Sequence, residues 1–228
     1  MSLIVTFQTE LFQEKSYNGM MNAIDDAVVA QIVPCTQAEG PGKRFALWFQ
    51  GCPFRCVGCC NPEFLSTQGG TKMAIGELCN QIVRAHEELG IEGITLLGGE
   101  PFFQAGAALQ IAKFSQERGL TVMIFTGNTL QEIKTRKNTE EIALLQYCDI
   151  LVDGLYDATQ PDTERRWIGS KNQQIHFFTD RYSSTDDYWK ERNTLELRVV
   201  GQEITINGFP APEWKPVWRK IKPIAPKN

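Results

Sequence analysis

Four cysteines fall within nine residues: Cys52, Cys56, Cys59 and Cys60, in the run GCPFRCVGCCNP. Cys52, Cys56 and Cys59 form CxxxCxxC. Three closely spaced thiolates can hold three irons of a cubane 4Fe–4S cluster. The fourth iron then has no local cysteine ligand and can bind something else. An ordinary ferredoxin closes all four positions with cysteine. An open iron is where chemistry can happen, by the logic that separates catalytic from structural zinc sites. Zinc itself is the competing reading. It takes four ligands, usually as paired CxxC units, and no second pair exists here. Adjacent residues such as Cys59 and Cys60 rarely ligate one small ion together, so Cys60 reads as a residue packed beside the ligands.

The rest of the composition sets bounds. The chain has 228 residues, 42% hydrophobic and 22% charged, with a net charge of -4. That is an ordinary globular balance with room for one good core, and it gives no reason to expect nucleic-acid binding. The opening MSLIVTFQTELFQEK has neither the basic start nor the apolar core of a secretory signal. No apolar run approaches the ~18 residues of a membrane span. Cys35, Cys79 and Cys148 are scattered singly, which is no disulfide framework; they read as small buried hydrophobes. A reduced, cytoplasmic setting is the expectation, since an open iron–sulfur cluster is oxygen-sensitive. Two histidines, His86 and His176, are too few for a histidine-built metal site. His86 falls on the apolar face of a helix and reads as a satisfied core residue; His176 lies in QIHFF, a strand.

These residues need elements to position them. Val28 to Val33 is apolar and β-branched, a first strand. Glu39-Gly40-Pro41-Gly42 is a turn. FALWFQ (45–50) is a buried strand that delivers the cysteine loop at its end. Residues 73–89 repeat apolar side chains at helix spacing and stop at Gly90. GITLL (93–97) is a strand ending in Gly98-Gly99-Glu100-Pro101. A helix follows over 104–118, then LTVMIF (120–125) ending in Thr126-Gly127. A helix over 139–147 leads to CDILV (148–152), ending in Asp153-Gly154. Strands alternating with helices predict a parallel α/β sheet, and short apolar strands fit a sheet covered on both faces. Special residues follow the carboxyl end of each strand, where such sheets bind ligands. Asp157 to Lys171 is polar loop. Leu195 to Val200 and Ile204 to Ile206 flank Gly201-Gln202 as a hairpin. The tail from Pro210 is rich in proline and lysine and should be extended and semi-rigid.

Taken singly, several of these signals are weak. GGEP alone is usually a tight turn, and Asp153-Gly154 alone favours the same reading. Position after a buried strand and company with the cysteines are what raise them.

Together the residues resemble the radical S-adenosylmethionine (SAM) superfamily. Within it they look most like the glycyl-radical-enzyme activases, of the anaerobic ribonucleotide reductase and pyruvate formate-lyase kind. The activase signature is matched by Gly40, Gly42, Arg44, Trp48, Gly51, Cys52, Cys56, Cys59 and Asn61. Gly98-Gly99-Glu100-Pro101 matches the superfamily's GGEP. DILVDG (149–154) and GSKNQ (169–173) resemble further activase segments. The likeness spans Val28 to Gln174. Two departures stand out: Cys60 replaces a histidine common in the reductase activases, and the chain beyond Gln174 is longer than in the shortest activases.

The resemblance implies an incomplete parallel (β/α)6 barrel. It divides the chain into an N-terminal segment 1–27, a radical SAM core 28–174, an extension 175–209 with the hairpin, and a tail 210–228. It implies Cys52, Cys56 and Cys59 as cluster ligands, with SAM chelating the open iron. Cleavage of SAM would give a 5′-deoxyadenosyl radical that abstracts hydrogen. Gly98, Gly99, Glu100 and Pro101 would receive the SAM amino group. Asp153 would meet the ribose or the substrate, with Thr126 as a further contact. Ser170, Asn172 and Gln173 would close the pocket or touch substrate, and backbone N–H groups near Phe54, Val57 and Gly58 would donate to the cluster. Expected partners are a glycyl-radical enzyme or a peptide, and an external reductant such as flavodoxin or ferredoxin. Two other readings remain open: modification of a ribosomal peptide or small metabolite, and a 4Fe–4S electron carrier without turnover.

Overall fold

Strands that are apolar on both sides must be covered on both sides, and β2 (Arg44–Phe49) and β4 (Gly93–Gly98) are buried along almost their whole length. The computed structural model describes residues 25–200 and 203–209. Around those two strands stand β1 (Asp26–Thr36), β3 (Thr71–Ala74), β5 (Thr121–Phe125), β6 (Ile150–Asp153) and β7 (Gln174–Phe177). Four helices connect them: α1 (Ile75–Arg84), α2 (Ala105–Gln116), α3 (Leu130–Arg136) and α4 (Thr139–Gln146). A separate hairpin, β8 (Leu195–Val200) with β9 (Glu203–Gly208), completes the described elements.

The seven strands lie in the order β3-β1-β2-β4-β5-β6-β7. β2, β4, β5 and β6 pair in parallel, whereas β1–β2, β1–β3 and β6–β7 are antiparallel. The expected parallel α/β sheet is thus found at the centre, no closed barrel forms among the described residues, and the edge strands run antiparallel rather than parallel. The reason is chain length. Residues 37–43 between β1 and β2 are too few for a parallel crossover, which needs a dozen or more.

Alternation along the strands sorts the core into two faces. Phe45, Leu47 and Phe49, Ile94 and Leu96, Val122 and Ile124, and Leu151 face the helices and meet Leu78, Ile82, Ile111, Ile133 and Leu144. Trp48, Leu97, Met123, Ile150 and Val152 face the other way, toward Phe64, Trp167, Ile168 and Trp189. Helices thus cover one face only. The irregular chain after β6 and the hairpin cover the other. Asn207 Nδ2 donates to Thr36 Oγ1 at 2.8 Å, and Gly208 N to Glu39 Oε1 at 2.5 Å, which docks the hairpin beside the end of β1.

Two elements went unread in the sequence. β3 overlaps the stretch read as a helix at Met73 and Ala74, and α3 falls in a stretch to which the sequence reading assigns no element. Residues 1–24 and the tail from 210 lie outside the described residues, as does the Gly201-Gln202 turn.

One buried cation explains the Gly40-x-Gly42-x-Arg44 spacing. Arg44 is fully buried at the start of β2. Its Nε donates to Thr95 Oγ1 at 2.6 Å, and Nη1 to Pro41 O at 3.1 Å and Thr121 Oγ1 at 3.0 Å. Nη2 donates to the Ile94 and Thr121 carbonyls. Gly40, at φ 142°, leaves room for this side chain: a Cβ there would lie 2.7 Å from Arg44 Cδ. Burial pulls the guanidinium pKa down, opposed by Tyr182. This knot ties three parallel strands together at the end opposite the cysteines.

Candidate functional site

The cysteine loop leaves β2 through Gln50 and Gly51. Gly51 N donates to Phe64 O at 2.9 Å and Cys52 N to Leu65 O at 3.1 Å, which pins the root of the loop to its returning limb. Gln50 Nε2 reinforces this by donating to Ser66 O at 2.7 Å. Gln104, just before α2, clamps the same root: its Nε2 donates to Gln50 O at 2.8 Å and to Val28 O at 2.9 Å. Within the loop, Cys59 N donates to Cys56 O at 3.2 Å. Arg55 Nη1 donates to the Cys52 and Phe54 carbonyls.

All four loop cysteines are free thiols, and all four line one cavity of about 640 Å³. Burial pushes the Cys52 thiol up to about 11, opposed by the Phe54 backbone N–H that donates to its sulfur. Burial likewise raises Cys59, opposed by Asn61 N, which lies 3.4 Å from its Sγ. Among the described residues, no three Cys, His, Asp or Glu side chains group closely enough to hold a single metal ion. The donor set fits a polynuclear iron–sulfur group: soft sulfurs lining one cavity, with N–H groups donating to two of them, the kind of contact that tunes such clusters.

Beside the cysteines runs the Gly98-Gly99-Glu100-Pro101 turn. A Cβ on Gly98 would lie 2.5 Å from Phe49 N, and one on Gly99 would lie 2.3 Å from Gly51 O and 2.8 Å from Phe64 O. Gly98 is required first by the adjoining end of β2 and Gly99 by the backbone of the cysteine loop, each pressing directly on its glycine. Both also line the cavity. Glu100 is only 2% exposed. Its Oε1 accepts from Phe102 N at 2.9 Å and Thr126 Oγ1 at 2.8 Å, and its Oε2 accepts from Gly127 N at 2.8 Å. Burial pushes its pKa up to about 7 in spite of these three donors. Oε1 is fully used, while Oε2 keeps acceptor capacity. Pro101 opens a short 3-10 turn, Pro101–Gln104, that Glu100 caps, so it shapes the turn from behind.

Thr126 is 5% exposed and lines the same cavity, with its hydroxyl given to Glu100. Asp153 is placed differently. It faces a neighbouring cleft that shares Phe54, Gly127 and Gly154 with the cavity. Its Oδ2 accepts from Leu130 N at 2.6 Å, at the start of α3, and lies 3.0 Å from His176 Nε2. Ser170, Asn172 and Gln173 are occupied in holding their own loop. Ser170 Oγ accepts from Asp157 N, Asn172 Nδ2 donates to Leu155 O, and Gln173 links Gly154 O to the N–H groups of Gly169 and Ser170. Of the three, Gln173 alone lines the cavity.

His86 is exposed rather than a core residue, and its Nδ1 lies 2.9 Å from Ile91 O. Cys79 and Cys148 are buried as expected, and Cys35 is half-buried.

Much of the remaining cavity lining comes from residues that the sequence reading takes as polar loop. Asp162, Arg165, Arg166 and Trp167 supply it, joined by Lys190, Glu191 and Phe209. Arg165 Nε donates to Asp162 Oδ2 at 2.7 Å, and its other nitrogens bond the Gln173, Ser170 and Lys171 carbonyls. Arg166 pairs with Glu191. The one local sign is the Arg165-Arg166-Trp167 run, an aromatic beside two cations in an otherwise polar segment.

Residues 38–176 match the family described as 4Fe-4S single cluster domain. Curated relatives are anaerobic ribonucleoside-triphosphate reductase-activating proteins. That of Enterobacteria phage T4 is 29% identical over 170 residues, covering 70% of this chain and 96% of the relative. That of Vibrio cholerae is 34% identical over 155 residues, covering 65% and 97%. That of Escherichia coli K12 is 28% identical over 154 residues, covering 64% and 96%.

Proposed function

The chain belongs to the 4Fe–4S single-cluster domain family, alongside the anaerobic ribonucleoside-triphosphate reductase-activating proteins, and we propose that it activates a glycyl-radical enzyme of that reductase type by radical SAM chemistry. The observation that carries this reading is one cavity walled by Cys52, Cys56 and Cys59 on one side and by Gly98, Gly99 and Glu100 on the next.

Cys52, Cys56 and Cys59 would hold the cluster as thiolates. When bound, the cluster and SAM would supply an electron and a 5′-deoxyadenosyl radical, which takes a hydrogen atom from a backbone glycine of the partner. The chain's own residues bind, orient and exclude water. Glu100 offers the free capacity of Oε2 to the SAM amino group. Thr126 and the Gly127 N–H hold the Glu100 carboxylate in place. Phe125 and Phe209, with ring centroids 5.5 Å apart, supply an apolar wall. Asp153, held by Leu130 N and lying 3.0 Å from His176 Nε2, would meet the ribose edge or the substrate from the adjoining cleft. Val57, at the tip of the cysteine loop, is 82% exposed; a protein partner that closes the cavity would cover it.

The chain thus divides into a core 28–174 and an extension 175–209, flanked by segments 1–27 and 210–228. No helix among the described residues is long and apolar enough to cross a membrane, and we place the protein in the cytoplasm with a flavodoxin or ferredoxin as reductant. A second reading, modification of a peptide or small metabolite, draws on Glu191 and Phe209: they line the cavity from beyond the matched residues 38–176. The test is anaerobic. Reconstituted, reduced protein supplied with SAM should release 5′-deoxyadenosine, and Cys56→Ala should abolish it. A fully loaded cluster that yields none under several reductants, with partner present, would favour an electron carrier.

A further inference from the structure

Two neighbouring donors in the cavity wall have no acceptor. Trp167 is 1% exposed and Arg166 8%. The indole Nε1–H of Trp167 and the guanidinium Nε–H of Arg166 make no hydrogen bond among the described residues, although both residues line the cavity. Buried donors of this kind are rare and costly. The backbone is also special here: Trp167 adopts φ 63°, an uncommon conformation for a bulky residue. It is held there from several sides. Trp167 N donates to Asn193 Oδ1 at 2.7 Å, Arg166 N donates to Trp189 O at 3.0 Å, and Trp189 packs edge-on to the indole at 5.2 Å. The Arg166 guanidinium lies 4.4 Å over the Trp167 ring. Strained backbone kept by its surroundings points to function.

We infer that Arg166 and Trp167 form a carbonyl-binding subsite, which takes a backbone C=O of the partner segment that carries the target glycine. This rests on the proposed reading that the substrate is a protein backbone. The charge balance selects the ligand. Arg166 is already paired with Glu191, and Arg165 with Asp162. An indole N–H beside a neutralised guanidinium suits a neutral acceptor better than an anion. A peptide drawn into a dry cavity brings carbonyls that must find donors, and these two residues line the same cavity as the cysteines. The subsite would therefore fix the register of the peptide, and with it which α-carbon is presented.

The test uses the reconstituted holoprotein with SAM and a short synthetic peptide centred on the radical-bearing glycine of the partner reductase. Trp167→Phe keeps the ring and removes the donor. The peptide dissociation constant should rise about 2- to 12-fold, the worth of one neutral hydrogen bond, while that for SAM stays within about twofold. In wild-type protein labelled with ¹⁵N-tryptophan, the Trp167 indole N–H resonance should move on peptide addition and stay put on SAM addition. A resonance that ignores the peptide, or an affinity loss that falls on SAM instead, overturns the subsite. Peptide-induced movement in a protein that releases no 5′-deoxyadenosine would uphold the subsite and sink the radical reading.

Discussion

Replacing Glu100 with Gln changes one atom pair and should have opposite consequences at two pH values. In the native fold Oε1 accepts two donors and Oε2 accepts Gly127 N–H. Gln keeps one acceptor oxygen. Placed against Phe102 N and Thr126 Oγ1, it turns its NH₂ toward Gly127 N–H, and that buried donor loses its partner. The cost is about 1–3 kcal/mol. Against it stands the burial of the native carboxylate. A pKa raised from 4.5 to about 7 means the folded state holds the proton more tightly than the unfolded chain. The native protein therefore has this stability in full below pH 4.5 and loses it as pH rises to about 7, a total of about 3 kcal/mol at about 1.4 kcal/mol per pH unit. Gln has no proton to lose. Near pH 5 Glu100→Gln should be less stable than the parent by about 1–2 kcal/mol, and near pH 8.5 as stable or more so. Urea unfolding of cluster-free, reduced protein at both values measures this, and every other titrating group cancels in the difference. A stability difference that does not move with pH would show that Glu100 is not the buried, high-pKa carboxyl described. SAM affinity should fall about tenfold or more above pH 7, because a charge-assisted contact is lost.

Other expectations follow from single contacts. Cys56→Ala should abolish cluster assembly and SAM cleavage together, whereas Cys60→Ala should retain most of both; iron content and 5′-deoxyadenosine yield report the difference. Gly99→Ala would put a Cβ 2.3 Å from Gly51 O, against backbone that cannot step aside cheaply. A loss of about 1–3 kcal/mol should come with poor iron loading, because the strain is delivered to the root of the cysteine loop. Arg44→Met strips donors from the Pro41, Ile94 and Thr121 carbonyls and should cost about 3 kcal/mol or more in urea unfolding. Iron bound per folded molecule should be unchanged, since Arg44 sits at the far end of the strands.

The central strands were legible because burial on both faces leaves no polar positions to obscure them. FALWFQ, GITLL, LTVMIF and CDILV all appear as β2, β4, β5 and β6 within one or two residues. The hairpin was legible from alternation, and the cysteine loop and GGEP turn lie together as their place after neighbouring strands required. β3 was missed because an exposed edge strand of four residues, TKMA, carries no alternation and runs straight into a helix. α3 is too short to show a period, although its Thr129–Glu132 capping box was visible as T-x-x-E. Strand direction at the sheet edges is set by connection length and packing, not by local pattern. At Gly98 and Gly99 the sequence shows missing side chains, but not that β2 and the cysteine loop approach closely there. Arg44 is marked in the sequence only by its place in the activase signature; that it is buried among partners from Pro41, β4 and β5 is seen in the structure alone. The Arg166–Trp167 wall depends on a loop folding back over the sheet, which no spacing announces.

The decisive measurement mixes the reconstituted, reduced protein with SAM and its partner reductase under anaerobic conditions and records the EPR spectrum. A glycine-centred doublet on the reductase, matched by 5′-deoxyadenosine and absent with Cys56→Ala, is the expected result. A loaded cluster that bleaches on SAM addition yet leaves the reductase without that doublet would contradict the assignment of this cavity to glycyl-radical activation.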